Sequence, residues 1–179
     1  MEKMERQLFL DELDTLCSFV IYAVTSANNS LYSGSNYLWY SLQNIVIYTA
    51  DISKILWGSN QSENDKRREF RKELHVNDSS AIRSKHFRNH FEHIDERLEK
   101  FSKIKPNLII NKTIVDSDNA IMVNGKPFIF KDEYTLRSLD LKRMQFVIFG
   151  DSYNLQQIVS EVEKLSKRVK ELKSQCQFG

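Results

Sequence analysis

The sequence predicts an α+β protein with segregated parts: an N-terminal up-and-down helical bundle, a small antiparallel β-meander and a long C-terminal helix. Three observations predict it. Apolar residues recur three and four apart through most of the first 104 residues, the period of a single helix face. After Pro106 that period gives way to β-branched apolar runs containing a hairpin signal. The three-four spacing then returns near residue 155 and holds almost to the end. For a chain of 179 residues this order implies a helical domain, 1–104, followed by an appendage, 105–179.

In the first helix, about 4–27, Phe9, Leu13, Leu16, Val20 and Val24 define one buried stripe. The turn formers of ANNSLYSGSN follow it. A second helix, about 35–57, carries Leu38, Leu42, Ile45, Thr49, Ile52 and Leu56, and Gly58 supplies its stop. A short helix covers about 62–74. HVNDSS breaks the chain, with Ser79 or Ser80 placed to cap a fourth helix running to about residue 103. NLIINKTIV reads as a strand, and IMVNGKPFIF holds Asn124-Gly125 between apolar runs, a hairpin turn because both residues tolerate positive φ. RMQFVIFG reads as a further buried strand. Asp151 or Ser152 then caps a final helix whose stripe is Leu155, Ile158, Val162, Leu165, Val169 and Leu172. The meander needs cover for its apolar face, and this helix is the natural candidate.

Composition narrows the function classes. With 41% apolar and 28% charged residues, 5 Gly and 2 Pro, the chain is neither disordered nor repetitive. Cys17 and Cys176 lack metal-ligand spacing, and Cys17 lies in an apolar helical pattern, so reduced thiols and a cytoplasmic setting are expected. Acids interrupt any apolar leader in MEKMERQLFLDELD, and Gln43, Asn44, Asp51 and Lys54 interrupt the longest apolar stretch, so neither a signal peptide nor a membrane span is expected. A net charge of +2 makes no general case for nucleic acid. KRREFRK at 66–72 and the set Lys164, Lys167, Arg168, Lys170 and Lys173 read as solvated faces. Gly-rich phosphate loops, nucleophile elbows and HExxH are absent from the sequence.

The chemistry concentrates in HFRNHFEHIDERLEKF, residues 86–101. Phe87, Phe91, Ile94, Leu98 and Phe101 form its apolar stripe, and at about 100° per residue Arg88, Glu92, Glu96, Asn89 and His93 form one continuous polar face opposite. Arg88-Asn89-His90-Phe91-Glu92-His93 resembles the R-x4-6-H motif of the HEPN superfamily (higher eukaryotes and prokaryotes nucleotide-binding domains), in which a small polar residue such as Asn typically follows the arginine. The wider RNxxEHxDERL pattern also resembles an uncharacterised set of bacterial proteins near that superfamily. The similarity covers about residues 1–104 and leaves 105–179 unexplained.

The resemblance implies a metal-independent endoribonuclease acting as a homodimer, in a toxin or phage-defence setting, with RNA as substrate, no cofactor, and an antitoxin or other protein as a possible partner. His93 would move a proton at the 2′-OH or the leaving oxygen, Arg88 would hold the phosphate as charge builds, and Asn89 would orient either group. Five positions apart on one helix, Arg88 and His93 diverge, so two antiparallel copies would bring both pairs into one cleft. Glu92 either pairs with Arg88 or keeps the surface soluble. On the second helix Tyr40, Asn44, Tyr48 and Asp51, at four-four-three spacing, form a polar-aromatic flank in which Asp51 supports the site or bonds a neighbouring backbone group, and Tyr48 stacks on a base or sits at the core boundary. Two rivals stand beside this reading: a metal held by His86, His90 and His93 at i, i+4 and i+7, and a non-catalytic dimerisation or nucleotide- or partner-binding module.

Overall fold

A computed structural model describes residues 3–33, 35–83, 93–103, 109–115, 120–124, 126–129 and 131–177. In chain order its elements are α1 (Lys3–Ser30), α2 (Asn36–Trp57), α3 (Gln61–Lys66), α4 (Arg68–Glu73), α5 (Ile94–Lys103), β1 (Ile110–Val115), β2 (Ala120–Val123), β3 (Lys126–Ile129), a 3-10 turn (Asp132–Tyr134), β4 (Thr135–Asp140), β5 (Gln145–Ile148), β6 (Asp151–Asn154) and α6 (Leu155–Gln177). The α+β class is as expected. The chain forms two compact units, Met1–Arg88 with Gln157–Gly179, and Asn89–Gln156. This division differs from a boundary at residue 104, because α6 joins the N-terminal helices and α5 goes with the strands.

In the helical unit every residue of the stripe expected on α2, from Leu38 to Leu56, is buried. The buried face of α1 is Leu10, Leu13, Leu16, Cys17, Val20, Ala23 and Ala27, so it is rotated away from Phe9 and Val24, and the helix runs three residues past its expected end. Burial and the nearby Asp14 carboxylate push the Cys17 thiol up to about 12, so it packs as a small apolar side chain. Gly58 does end α2, at φ 67°, donating its N–H to Lys54 O at 2.8 Å. A Cβ there would lie 2.4 Å from that of Glu63. The expected helix over 62–74 is two short ones meeting at Arg67, and Asn60 Oδ1 caps the first by accepting the Glu63 N–H at 3.0 Å.

Within KRREFRK, Lys66, Arg68, Glu69 and Lys72 are exposed as expected of a solvated face, while Arg67 and Arg71 depart from it. Arg67 donates to Lys54 O and, at 3.0 Å, to Ile55 O, while Arg71 donates to Leu56 O at 2.8 Å and Asn64 O at 3.1 Å. Two guanidiniums thus serve the last carbonyls of α2, at the negative end of its dipole, with Lys54 O shared between Arg67 and the Gly58 N–H.

The stripe of α6, Ile158, Val162, Leu165, Val169 and Leu172, is buried. Polar links hold the helix along its length. Glu161 accepts the Ser80 hydroxyl and, at 2.9 Å, the Ala81 N–H; Arg168 Nε donates to Glu73 O at 2.8 Å; Lys173 Nζ lies 2.8 Å from Asp14 Oδ2 and 3.0 Å from Asp11 Oδ1. Ser80 therefore serves α6, and it also accepts the Ile82 N–H at 3.3 Å, rather than capping a fourth helix. Residues 84–92 of that expected helix lie outside the described residues. Of the apolar stripe on its described remainder, α5, Phe101 is buried while Ile94 and Leu98 are exposed.

The expected meander is replaced by a mixed sheet of order β1-β4-β5-β6 and a separate β2-β3 hairpin. β1 runs parallel to β4, so the hairpin sits within a crossover connection rather than in a run of adjacent strands. The β2-β3 turn falls at the predicted place, with Asn124 at φ 51°. β5 and β6 join through Phe149 and Gly150, at φ 51° and 83°, which suits a two-residue turn matching the strand twist. Asp151 and Ser152 lie in β6, so the final helix starts beyond them. β4 and β6 are additions to the expected strands. Tyr153 on β6 is buried, and burial with the nearby Asp151 charge raises its phenol well above the usual range, opposed by Arg97 of α5.

Truncating Leu165 to Ala removes buried atoms and leaves a cavity, so a loss of about 2–5 kcal/mol is expected in urea unfolding. Leu98→Ala, at an exposed position, costs under about 1 kcal/mol by the same measurement. The reverse order would contradict the packing described.

Candidate functional site

His93 immediately precedes α5, and its carbonyl accepts the Arg97 N–H at 3.0 Å, the first bond of that helix. Its Nδ1 lies 3.4 Å from Glu96 Oε1. Glu96 stands three residues on, in the first turn, where a carboxylate meets the positive end of the helix dipole and also faces the imidazole. The imidazole side chain is 55% exposed and Glu96 74% exposed. The Glu96 carboxylate thus lies beside an exposed imidazole, a side chain able to donate or accept a proton. Glu96 belongs to the predicted polar face but was given no role by sequence reasoning; its i+3 spacing from His93 is the signal that finds it.

Arg88, Asn89 and Glu92 lie outside the described residues, as do His86 and His90. Among the described residues no group of three or more His, Cys, Asp or Glu is arranged to hold a metal ion.

The two residues expected from the second helix belong to the helical unit, whereas His93 belongs to the other. Asp51 Oδ1 lies 4.0 Å from Lys54 Nζ. The Tyr48 ring packs at 5.1 Å, tilted by 51°, on Phe19 of α1. Tyr48, Tyr40 and Asn44, spaced four apart on α2, line a shallow cleft of about 200 Å3 with Phe19, Tyr22 and Ser26 of α1. Asp51 is not part of its lining. The flank read on α2 is therefore real for three residues, and the half contributed by α1 was missed. Its signal is the absence of charge, for no Asp, Glu, Lys, Arg or His occurs from Thr15 to Ala50.

A larger cleft of about 530 Å3 lies between the 74–82 segment and α6, with His75, Asn77, Ser80, Glu161, Lys164 and Arg168 in its walls. Glu161 and Arg168 already serve the packing of α6, so their charges are committed to the fold.

Beside it Arg71, 3% exposed, lies with its guanidinium 5.5 Å from the Trp57 ring centre and 3.6 Å from Asp78 Oδ1. Desolvation lowers the Arg71 pKa. The Trp57 Nε1–H donates to Asp78 at 2.9 Å and, with Arg83 and Arg71, holds that carboxyl below its ordinary value. Arg67 and Arg71 are thus committed to the fold, whereas Lys66, Arg68 and Lys72 of the same stretch are exposed, Arg68 lying 2.7 Å from Asp65 and Lys72 2.7 Å from Glu69.

Among the described residues no helix is long and apolar enough to cross a membrane. Compared with family models, curated proteins and solved structures, the chain matches none of them.

The pH dependence of stability follows from Asp78, Asp11 and Lys173. Asp11 is held low by its hydrogen bonds from Lys173 and Gln7, and Lys173 is held high by Asp14 and Asp11. A depressed carboxyl stabilises above its unfolded pKa near ~3.9 and loses that contribution as pH falls through the folded value. A raised lysine stabilises below its unfolded pKa near ~10.4 and loses that contribution as pH rises through the folded value. The urea midpoint should be flat across neutral pH and fall on both sides. Asp11→Asn with Asp78→Asn should shrink the acid fall; an unaltered acid limb would contradict these pairings.

Proposed function

We propose that the chain is a metal-independent endoribonuclease of HEPN type, acting as a homodimer in a reducing cytoplasm, in a toxin or phage-defence setting. The observation that supports it best is His93: an exposed imidazole at the start of a helix, with the Glu96 carboxylate 3.4 Å from its Nδ1. A general acid-base must be accessible to the proton it moves, and an exposed imidazole meets that need.

In this reading the 2′-OH of RNA attacks the adjacent phosphate, closing a cyclic phosphate and expelling the 5′ oxygen. One His93 accepts the 2′ proton and its counterpart on the second copy protonates the leaving oxygen. Arg88 meets the charge on the non-bridging oxygens with a planar, permanently charged fork. Asn89 orients the phosphate, and Glu92 holds Arg88 four residues earlier. An antitoxin-like protein would mask the site when cleavage is unwanted.

The uncharged aromatic cleft of α1 and α2 favours a second reading, a non-catalytic HEPN-like module that dimerises or binds a partner. Incubation of the purified protein with structured RNA in EDTA separates the two. Cleavage should survive EDTA and fall about 10²- to 10⁴-fold in His93→Ala and Arg88→Ala. EDTA-sensitive cleavage would replace this mechanism with a metal-dependent one, and no cleavage of any RNA would leave the module reading.

A further inference from the structure

The cleft of about 530 Å3 between the 74–82 segment and α6 has Leu74, Val76, Ile82 and Leu165 behind a polar rim. An apolar floor with a few polar groups over it, in a volume of this order, is the ordinary build of a small-molecule site. The rim's acceptors are engaged within the protein. Asn77 Oδ1 accepts the Ser79 N–H at 3.0 Å and the Ser79 hydroxyl at 2.7 Å, while Glu161 Oε2 accepts the Ser80 hydroxyl and the Ala81 N–H. Arg168 is engaged as well, by Glu73 O at 2.8 Å and the Glu171 carboxylate at 3.0 Å. Among the described residues, no hydrogen bond or ion pair takes up the Lys164 ammonium, the His75 imidazole or the Asn77 Nδ2 group. What the rim has left to offer is mostly donors.

His75 adds an observation of a different kind. α4 ends in paired bonds, His75 N–H to Lys72 O at 3.0 Å and Val76 N–H to Arg71 O at 2.9 Å, and this termination puts His75 in the left-handed region at φ 57°. Glycine is the usual residue at that place, because a Cβ is strained there. Stability is given up to set an imidazole in the cleft wall, and backbone strain of this sort gathers at ligand sites.

We propose that this cleft binds a small organic carboxylate with an apolar body. Glu161 and Arg168 are opposite in sign and already bonded within the fold, so Lys164 is the lining's charge in excess. One ammonium with amide and imidazole N–H groups beside it matches one carboxylate. A phosphate ester would bring a second negative charge and a third acceptor oxygen, and among the described residues the lining has no second unengaged lysine or arginine to meet them. The cleft is also far larger than a carboxyl group, and the rest of the ligand lies against Leu74, Val76, Ile82 and Leu165. His93 and Tyr48 take no part, and the site does not depend on RNA cleavage.

The test is calorimetric titration of the full chain with octanoate and with 3-phenylpropionate, beside the matching alcohols and inorganic phosphate. At least one of the two carboxylates should bind once per chain, with its alcohol and phosphate at least ~10-fold weaker. Lys164→Gln should weaken that carboxylate at least ~10-fold with its helical circular dichroism unchanged, whereas Lys167→Gln, exposed on the same helix but outside the lining, should not. His75→Gly should weaken binding while raising the urea midpoint, because glycine relieves the left-handed strain; a histidine of purely structural use would lose stability instead. Binding of neither carboxylate at millimolar concentration, an alcohol or phosphate that binds as tightly, or a folded Lys164→Gln or His75→Gly chain that binds as the wild type does, overturns the inference. Should Lys164→Gln unfold, Lys164→Met is read in its place by the same criteria.

Discussion

The return of the chain to its first helices after residue 156 is the constraint on which the rest of the structure depends. Two helices joined by a loop cannot close a core, and α1 and α2 each carry an apolar face too long for the two short helices that follow. α6 completes the layer with Ile158, Val162, Leu165, Val169 and Leu172, each worth about 1.5–3 kcal/mol when fully removed from water. Its polar links add little energy at the surface, but Glu161, Arg168 and Lys173 fix its register at three heights along one helix. Residues 89–156 consequently enter the sequence as an insertion between two parts of one unit. His93 and its Glu96 partner stand near the start of that insertion, on a short polar helix in which Phe101 is buried.

Charge serves the fold in the same economical way. α2 ends against Arg67 and Arg71, whose guanidiniums take three successive carbonyls, and Trp57 and Asp78 enclose the second arginine. A buried guanidinium is tolerated because carbonyls, a carboxylate and an indole face replace the water it loses. The opposite strategy holds farther up the hairpin, where α1 and α2 carry no charge and present tyrosines. One helical unit thus separates an ionic end that seals itself from an uncharged aromatic end that stays open.

Much of the fold was legible because its signals were local. The stripe of α2, the Gly58 stop, the Asn124 hairpin and the C-terminal stripe all follow from periodicity or from one residue's backbone freedom. β4 was not legible. TLRSLD pairs on both sides, with β1 and β5, and buries Thr135, Ser138 and Asp140, whose carboxylate accepts the Arg143 N–H at 2.9 Å to close the next turn. Such a strand has no apolar alternation to read. DSYN resembles a helix cap for the same reason, although its place beside β5 makes it a strand. At the candidate site the polar face of HFRNHFEH was readable as chemistry, and Asn44 and Tyr48 were readable as one flank. The pairing of His93 with Glu96 was present in the i+3 spacing but not drawn from it, and the contribution of Phe19 and Tyr22 required a neighbouring helix that spacing on a single element cannot supply.

Native-state hydrogen exchange tests the central claim most directly, because it reports which segments open together. If α6 closes the core of α1 and α2, amides across residues 158–172 exchange with the same opening free energy and denaturant dependence as the central amides of those two helices. If α6 instead exchanges at a distinct, lower free energy, or together with β4 and β5 while α1 and α2 stay protected, the helical unit described here does not exist as one cooperative body.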